Sequence, residues 1–187
     1  MNDLSENKSK RSEIAKVILG CIAAAGVIAI PVAGPLILMA IAEELNIPKW
    51  HRRKVYLSLR NLEQRKLIGI SKEDGKTVVR LTKNGQNKFL KYKLEELHIK
   101  KPAKWDKLWR AVIFDIPEKY KQGRESMRAK LRELGFYRLQ KSVWVYPYAC
   151  EDEIDFISEL YEVRPFVRIM LVKSIDIQKD LIKQFGL

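Results

Sequence analysis

Basic side chains lie at helical spacing between His51 and Leu67. Apolar residues recur there at i, i+4 and i+7, which predicts a helix with one apolar face. Those apolar residues are Val55, Leu59 and Leu62. The opposite face carries Arg52, Arg53, Tyr56, Arg60 and Arg65. Guanidinium groups bind guanine edges and phosphate oxygens, so this face is suited to nucleic acid.

Asp115 is the second residue whose position could support chemistry. It follows Ala111–Phe114, an apolar run rich in β-branched and aromatic residues that predicts a buried central strand. Pro117 cannot extend the strand's hydrogen-bond ladder, so the carboxylate falls at the strand's end. There it could meet a ligand, a metal or a partner chain. The alternative is that Asp115 caps the following helix or its preceding turn.

The composition favours a polyanionic partner. The chain has 187 residues, a globular balance of 47% hydrophobic and 32% charged residues, and a net charge of +13. Such an excess favours nucleic acid or an anionic membrane surface. The only cysteines and histidines are Cys21, Cys150, His51 and His98, which lack metal-ligand spacing. A zinc site and a disulfide framework are therefore not expected, and a reducing cytoplasm fits.

The amino-terminal stretch allows three interpretations. Residues 1–12 are polar and charged and are expected to form a disordered tail. Val17–Ala42 then holds 26 residues without a charge. Pro31 and Gly34-Pro35 divide the run, which favours two soluble helices, Glu13–Ile30 and Pro35–Leu45. The alternatives are an inner-membrane tether through residues 17–42, with basic residues preceding it, and a signal peptide.

A hairpin follows the basic helix. Ile68–Ser71 and Thr77–Leu81 are strand-like and are joined through Asp74-Gly75, a strong turn signal. Thr82–Gly85 then leads into a helix that runs to about Leu97.

The order helix, Leu-x-x-Arg-Lys-Leu-Ile, hairpin and Leu-Thr-x-x-Gly resembles a winged helix-turn-helix domain over Ile14 to about Leu97. The resemblance implies that His51–Lys66 is a recognition helix and that Asp74-Gly75 is the tip of a wing. It also implies a set of DNA-binding residues, namely Arg52, Arg53, Tyr56, Arg60, Lys72 and Lys76. The alternative is a basic, solvated helix beside a structural hairpin.

The remainder of the chain predicts a second domain. Residues 100–104 are basic and contain a proline, as expected of a linker. The predicted elements are strand Trp109–Asp115, helix Glu118–Leu134, strands Phe136–Gln140 and Ser142–Tyr146, helix Glu151–Tyr161, strand Phe166–Val172 and a helical tail Asp176–Phe185. This β-α-β-β-α-β order is ferredoxin-like. The sequence therefore predicts an α+β protein with a tail (1–12), a winged helix (13–99), a linker (100–104) and a ferredoxin-like domain (105–187).

Three motifs of the second domain resemble a known family. They are Val-Ile-Phe-Asp-Ile-Pro (112–117), Leu-Arg-Glu-Leu-Gly-Phe (131–136) and Gln-Lys-Ser-Val-Trp-Val (140–145). Over Trp105 to about Val172 the chain resembles the CRISPR-associated adaptation endonuclease Cas2 and the equivalent central domain of PaaX-type repressors. In those repressors a winged helix precedes this domain, as here, and a further carboxyl-terminal domain follows it. The sequence departs from both patterns. The predicted elements include no counterpart of the repressors' further carboxyl-terminal domain, and the adaptation endonucleases lack the winged helix.

The resemblance implies two alternative functions. The first is a cytoplasmic, dimeric transcriptional regulator, a repressor of the PaaX-like type, which binds double-stranded DNA without a cofactor and dimerises through the ferredoxin-like domain. The second is a metal-dependent endonuclease acting on DNA or RNA. Asp115 matches the aspartate that in the nuclease family faces its twin across a dimer, where Mg²⁺ or Mn²⁺ would relieve the repulsion between carboxylates and activate water. Trp105, Trp109 and Trp144 are expected in the core or a dimer interface.

Overall fold

The computed structural model describes residues 2–30 and 52–187, with side chains over 13–29 and 53–187. The chain divides into two compact units, Met1–Glu95 and Glu96–Leu187. Each unit has its own antiparallel sheet. The boundary falls a few residues before the basic segment 100–104.

The first unit contains a three-stranded sheet in the order β1-β3-β2. Its described elements are α1 (Asn2–Ala25), β1 (Ile28–Ile30), α2 (Arg52–Gln64), β2 (Ile68–Glu73), β3 (Lys76–Leu81) and α3 (Lys83–Glu96). The central strand β3 pairs with both neighbours. The basic helix and the hairpin thus occur where the sequence places them.

The start of this unit differs from expectation in two ways. Residues 2–12 belong to α1 and are not a disordered tail; no proline or glycine interrupts the chain before Gly20. The helix also ends at Ala25, whereas Glu13–Ile30 was expected to be helical throughout. Gly26 adopts a left-handed φ of 70° that ends the helix, and Ile28–Ile30 then pairs with β3.

Part of the apolar stretch Val17–Ala42 lies outside the described residues, and so does the expected helix Pro35–Leu45. Within residues 2–30 and 52–187, none of the helices combines the length and the apolar character needed to cross a membrane.

The core of the first unit forms where α1 and α2 meet the sheet. Val55, Leu59 and Leu62 of α2 are almost fully buried, which confirms the apolar face predicted from their spacing. They join Ile18, Leu19 and Ile22 of α1 and residues of β1, β2 and β3 in one hydrophobic cluster. With its inner face fixed in this way, α2 presents its opposite face, with Arg53 and Arg60, to solvent.

The Leu-Thr-x-x-Gly motif joins α3 to the end of α2. Lys66 adopts a left-handed conformation with φ of 53° at the end of α2. The amides of Lys66 and Leu67 donate hydrogen bonds to the carbonyls of Glu63 and Leu62, both at 2.8 Å. Thr82 then binds this turn: its amide donates to the Leu67 carbonyl at 3.1 Å and its hydroxyl to the Lys66 carbonyl at 2.6 Å. The same hydroxyl accepts the amide of Gly85 at 3.0 Å and so caps α3.

Gly85 allows the two backbones to approach this closely. A Cβ added at this position would lie only 1.8 Å from the Leu67 carbonyl oxygen. The motif is therefore a structural requirement of the joint between α2, the hairpin and α3.

The second unit is a ferredoxin-like domain. Its described elements are β4 (Trp109–Phe114), α4 (Lys121–Glu133), β5 (Tyr137–Gln140), β6 (Val143–Tyr146), α5 (Glu151–Leu160), β7 (Val167–Val172) and α6 (Gln178–Phe185). The sheet order is β5-β6-β4-β7, with β4 at the centre as predicted. The expected bounds shift by a few residues. Helix Glu118–Leu134 begins with a 3₁₀ turn, Glu118–Tyr120, immediately after Pro117.

The tryptophans contribute to the core of this unit. Trp109 and Trp144 are buried, and the ring of the half-buried Trp105 lies 4.8 Å from that of Trp109. Leu181 of α6 packs in the same cluster as Trp109, Ala111 and Val145. The tail helix therefore covers part of one sheet face, which is why it is ordered.

Buried Arg110 holds the start of β4. It binds Asp106 through two hydrogen bonds of 2.8 and 2.7 Å and donates to the carbonyls of Leu108 and Pro147 at 2.9 and 3.2 Å. The hydrogen bond from Arg110 is the main cause of the lowered pKa of the Asp106 carboxyl. The ionised form of Asp106 therefore stabilises the fold.

We predict that Gly85→Ala destabilises the first unit by about 3 kcal/mol, because the methyl group would overlap the Leu67 carbonyl and force the backbones apart. Gly20→Ala is the matched control. Its Cβ would meet only Phe89, at 3.5 Å, so we expect no loss, or a gain of up to about 1 kcal/mol from helix propensity. Urea unfolding followed by circular dichroism measures both, and equal stability of the two variants would contradict the close-approach argument.

We predict that Asp106→Asn destabilises the second unit at pH 7 by about 1 kcal/mol, a value discounted because Asp106 is half exposed. Because the folded-state pKa is lowered, the stabilisation is complete above the unfolded-state pKa and is lost as pH falls through the folded-state value. The stability difference between wild type and variant should therefore shrink in acid. Glu159→Gln, at an exposed position of the same unit, should show no such pattern.

Candidate nucleic-acid interface

The outward face of α2 carries the arginines expected there. Arg53 and Arg60 are exposed. Arg52 begins the helix, but its side chain lies outside the described side chains. Tyr56 differs from expectation: its ring is half-buried and packs against the hydrophobic cluster, because it lies at the edge of the apolar face. The structure thus brings Arg53 and Arg60 together on one helix and turns Tyr56 towards the core.

Two residues of this face were not among the predicted contacts. Leu57 and Asn61 are both exposed, between and beside the two arginines. The spacing of Val55, Leu59 and Leu62 already places Leu57 opposite the core. A helical-wheel argument could have found it, but a leucine is normally assigned to the buried side.

The β2–β3 hairpin ends in a two-residue turn. Asp74 and Gly75 have φ values of 48° and 73°, the left-handed pair that matches the twist of a hairpin. Lys72 and Lys76 flank the turn and are exposed. The register puts Lys72 opposite Thr77 and Lys76 opposite Glu73, so the two lysines lie on different faces of the hairpin.

Glu73 is held by its neighbours. Arg80 forms two hydrogen bonds with its carboxylate, one of them 2.8 Å long, and Ser71 donates at 2.9 Å. These hydrogen bonds lower the pKa of the Glu73 carboxyl, and the bond from Arg80 has the larger effect. Arg80 of β3 thus balances the charge of Glu73, the residue that lies opposite Lys76 in the hairpin register.

The charge is unequally divided between the units. Residues 1–95 hold 18 lysines and arginines against 9 acidic residues, an excess of +9, whereas residues 96–187 hold 18 against 14, an excess of +4. The unit that carries α2 and the hairpin therefore supplies most of the net charge of +13. This concentration favours approach to a polyanion.

Asp115 lies directly after β4 and is exposed. Its amide donates to the Phe166 carbonyl at 3.2 Å. The capping alternative is wrong, because neither the 3₁₀ turn nor α4 has a side-chain cap. Arg124 fixes the loop by donating to the Ile116 carbonyl at 3.0 Å and to Glu118 at 2.7 Å.

A metal at Asp115 would need ligands from elsewhere. Within residues 2–30 and 52–187, no three histidine, cysteine, aspartate or glutamate side chains are grouped as metal ligands would be. The expectation of a twin carboxylate across a dimer therefore stays a prediction.

The two cysteines do not form a disulfide. Cys21 is half-buried and Cys150 is buried, and both are free thiols. Burial raises the pKa of the Cys150 thiol to about 12. Because the thiolate is the reactive form, Cys150 is unsuited to nucleophilic chemistry.

The comparisons with known proteins concern the second unit. Residues 102–181 match the family model described as PaaX protein central Cas2-like domain. No curated protein matches the chain. The matched segment contains β4 to β7, so the family and the ferredoxin-like topology agree. The resemblance found in the motifs is confirmed, and residues 102–181 of this chain are similar to the Cas2-like central domain of PaaX proteins.

Proposed function

We propose that the protein is a dimeric transcriptional regulator, a repressor of the PaaX-like type, that binds double-stranded DNA. The observation that carries this proposal is the exposed face of α2, with Arg53 and Arg60, in the unit that holds an excess of +9 charges. A helix of this kind fits the major groove, where arginine binds guanine bidentately.

The described topology supports a winged helix in the first unit. A helix, a short strand, a later helix and a hairpin follow one another, and the short strand pairs with the second hairpin strand. In this proposal α2 is the recognition helix and Lys72 and Lys76 contact the DNA backbone from the wing. Lysines on phosphates add affinity without sequence preference.

The Cas2-like sheet supports dimerisation. Its edge strand β7 exposes Met170 and Leu171, the latter at 60%. Exposed apolar residues on an unpaired strand edge favour association with another chain. A twofold dimer would present two copies of α2 to two half-sites, so the preferred DNA should be an inverted repeat.

A metal-dependent endonuclease is the second candidate, favoured by one observation. Asp115 is exposed at the end of the central strand, makes no helix cap and sits in a loop held by Arg124. A carboxylate placed in this way could meet its twin in a dimer and share Mg²⁺ or Mn²⁺ with it.

We predict that the arginines and the lysines of the interface act differently. Arg53→Ala and Arg60→Ala should flatten the preference among sequences, each contact being worth about 1–3 kcal/mol of discrimination. Lys76→Ala should weaken binding to all sequences alike and lower the slope of log affinity against log salt by about 1. Selection from random duplexes, followed by titrations at several salt concentrations, measures both effects.

The control is Lys179→Ala, which removes an equal charge from the exposed surface of the second unit. It should leave both preference and slope unchanged. Absence of an enriched motif, together with undiminished binding by the Arg53→Ala, Arg60→Ala double variant, would mean that α2 is only a solvated helix and would overturn the proposed function.

We predict that Asp115→Asn leaves DNA affinity unchanged, because Asp115 belongs to the second unit and α2 to the first. We also expect a stability within about 0.5 kcal/mol of wild type, as at other exposed positions. Titration of the selected duplex and urea unfolding test these points. Cleavage of DNA or RNA by wild type in Mg²⁺ or Mn²⁺, abolished in this variant, would instead establish the nuclease.

A further inference from the structure

Leu57 is an apolar side chain at the centre of the basic face of α2. It is 45% exposed, although Val55, Leu59 and Leu62 on the same helix are almost fully buried. At about 100° per residue, Leu57 lies about 200° around the helix from Val55 and points away from the core. The face of a surface helix opposite the core is typically polar, and Leu57 departs from that pattern.

The surroundings of Leu57 indicate what it could contact. Arg53 lies one turn before it, and Arg60 and Asn61 lie one turn after it; all three are exposed. No acidic residue occurs between Arg52 and Asn61. A partner for this surface must therefore combine negative charge around its edge with an apolar group at its centre.

The major groove of DNA offers that combination. Phosphates line both edges of the groove, and the 5-methyl group of thymine is the apolar group among the base edges. The other functional groups there are hydrogen-bond donors and acceptors, which a leucine cannot pair.

We propose that Leu57 is a specificity-determining residue that contacts the 5-methyl group of a thymine. Arg53 and Arg60 bind the neighbouring base edges or phosphates. This inference rests on the proposed function, since it requires α2 to enter the major groove. It adds that each half-site contains a thymine read through its methyl group.

Uracil in place of thymine provides the test, because it removes only the methyl group and keeps the base pair. In the duplex selected by wild type, each thymine is replaced in turn by deoxyuridine and the affinity is measured. One position per half-site should lose about fourfold in affinity, as expected for one buried methyl group. With Leu57→Ala the same replacement should have no effect, so that the two changes are coupled.

Two variants serve as controls. Leu57→Met keeps an apolar side chain of similar volume and should retain the methyl effect. Val17→Ala shortens another exposed apolar side chain of the same unit, 62% exposed in wild type, and should also retain it. For Leu57→Ala, an unchanged slope of log affinity against log salt would show that the phosphate contacts persist. An unchanged circular dichroism spectrum would show that the fold persists.

The outcomes separate this inference from the proposed function. If an arginine-dependent motif is selected but every thymine in it tolerates the loss of its methyl group, the role of Leu57 is overturned and the regulator is left intact. The same conclusion follows if Leu57→Ala loses as much affinity on that replacement as wild type does. Absence of any selected motif, together with undiminished binding by the Arg53→Ala, Arg60→Ala double variant, overturns both. Loss of the methyl effect in Leu57→Ala alone supports the inference.

Discussion

The arrangement of the first unit depends on the approach of α3 to the end of α2. The Thr82 amide and hydroxyl donate to the carbonyls of the Lys66–Leu67 turn, and the Gly85 amide donates to the Thr82 hydroxyl. The distance between the two backbones leaves no room for a side chain at Gly85. Because Leu67 leads into β2 and Thr82 follows β3, this single joint fixes the hairpin relative to α2. Any surface formed by α2 and the hairpin together inherits its geometry from these hydrogen bonds.

Elements of the first unit that follow local sequence patterns were predictable, whereas those that depend on contacts between distant residues were not. The spacing of Val55, Leu59 and Leu62 and the Asp74-Gly75 turn follow local rules of periodicity and backbone conformation, so α2 and the hairpin were predictable. The strand β1 was not: its three residues form a strand only because β3 lies beside them. Leu67 and Gly85 are far enough apart in sequence that no local pattern reports their contact.

The candidate site was predictable to a similar degree. Periodicity separates Arg53 and Arg60 from the core, since they lie about 120° and 100° around the helix from Leu59. Tyr56 lies at the edge of the apolar face, where only the neighbouring elements decide whether a ring packs inwards. For Asp115 the sequence predicted the end of a central strand, but not that Pro117 and Arg124 would leave the carboxylate out of the helix cap.

The two units use their basic residues differently although each has 18. In the Cas2-like domain, arginines hold the domain's own structure: Arg110 binds Asp106, Arg124 binds Glu118, and Arg164 binds Asp155. In the first unit Arg80 has such a role with Glu73, whereas Arg53 and Arg60 extend from α2 on a face without acidic residues. Charges already paired within a domain contribute little to the attraction of a polyanion. Arg53 and Arg60, on a face without acidic residues, therefore belong to the unit for which DNA binding is proposed. The arginines that pair with carboxylates are concentrated in the unit whose sheet has an exposed apolar edge strand.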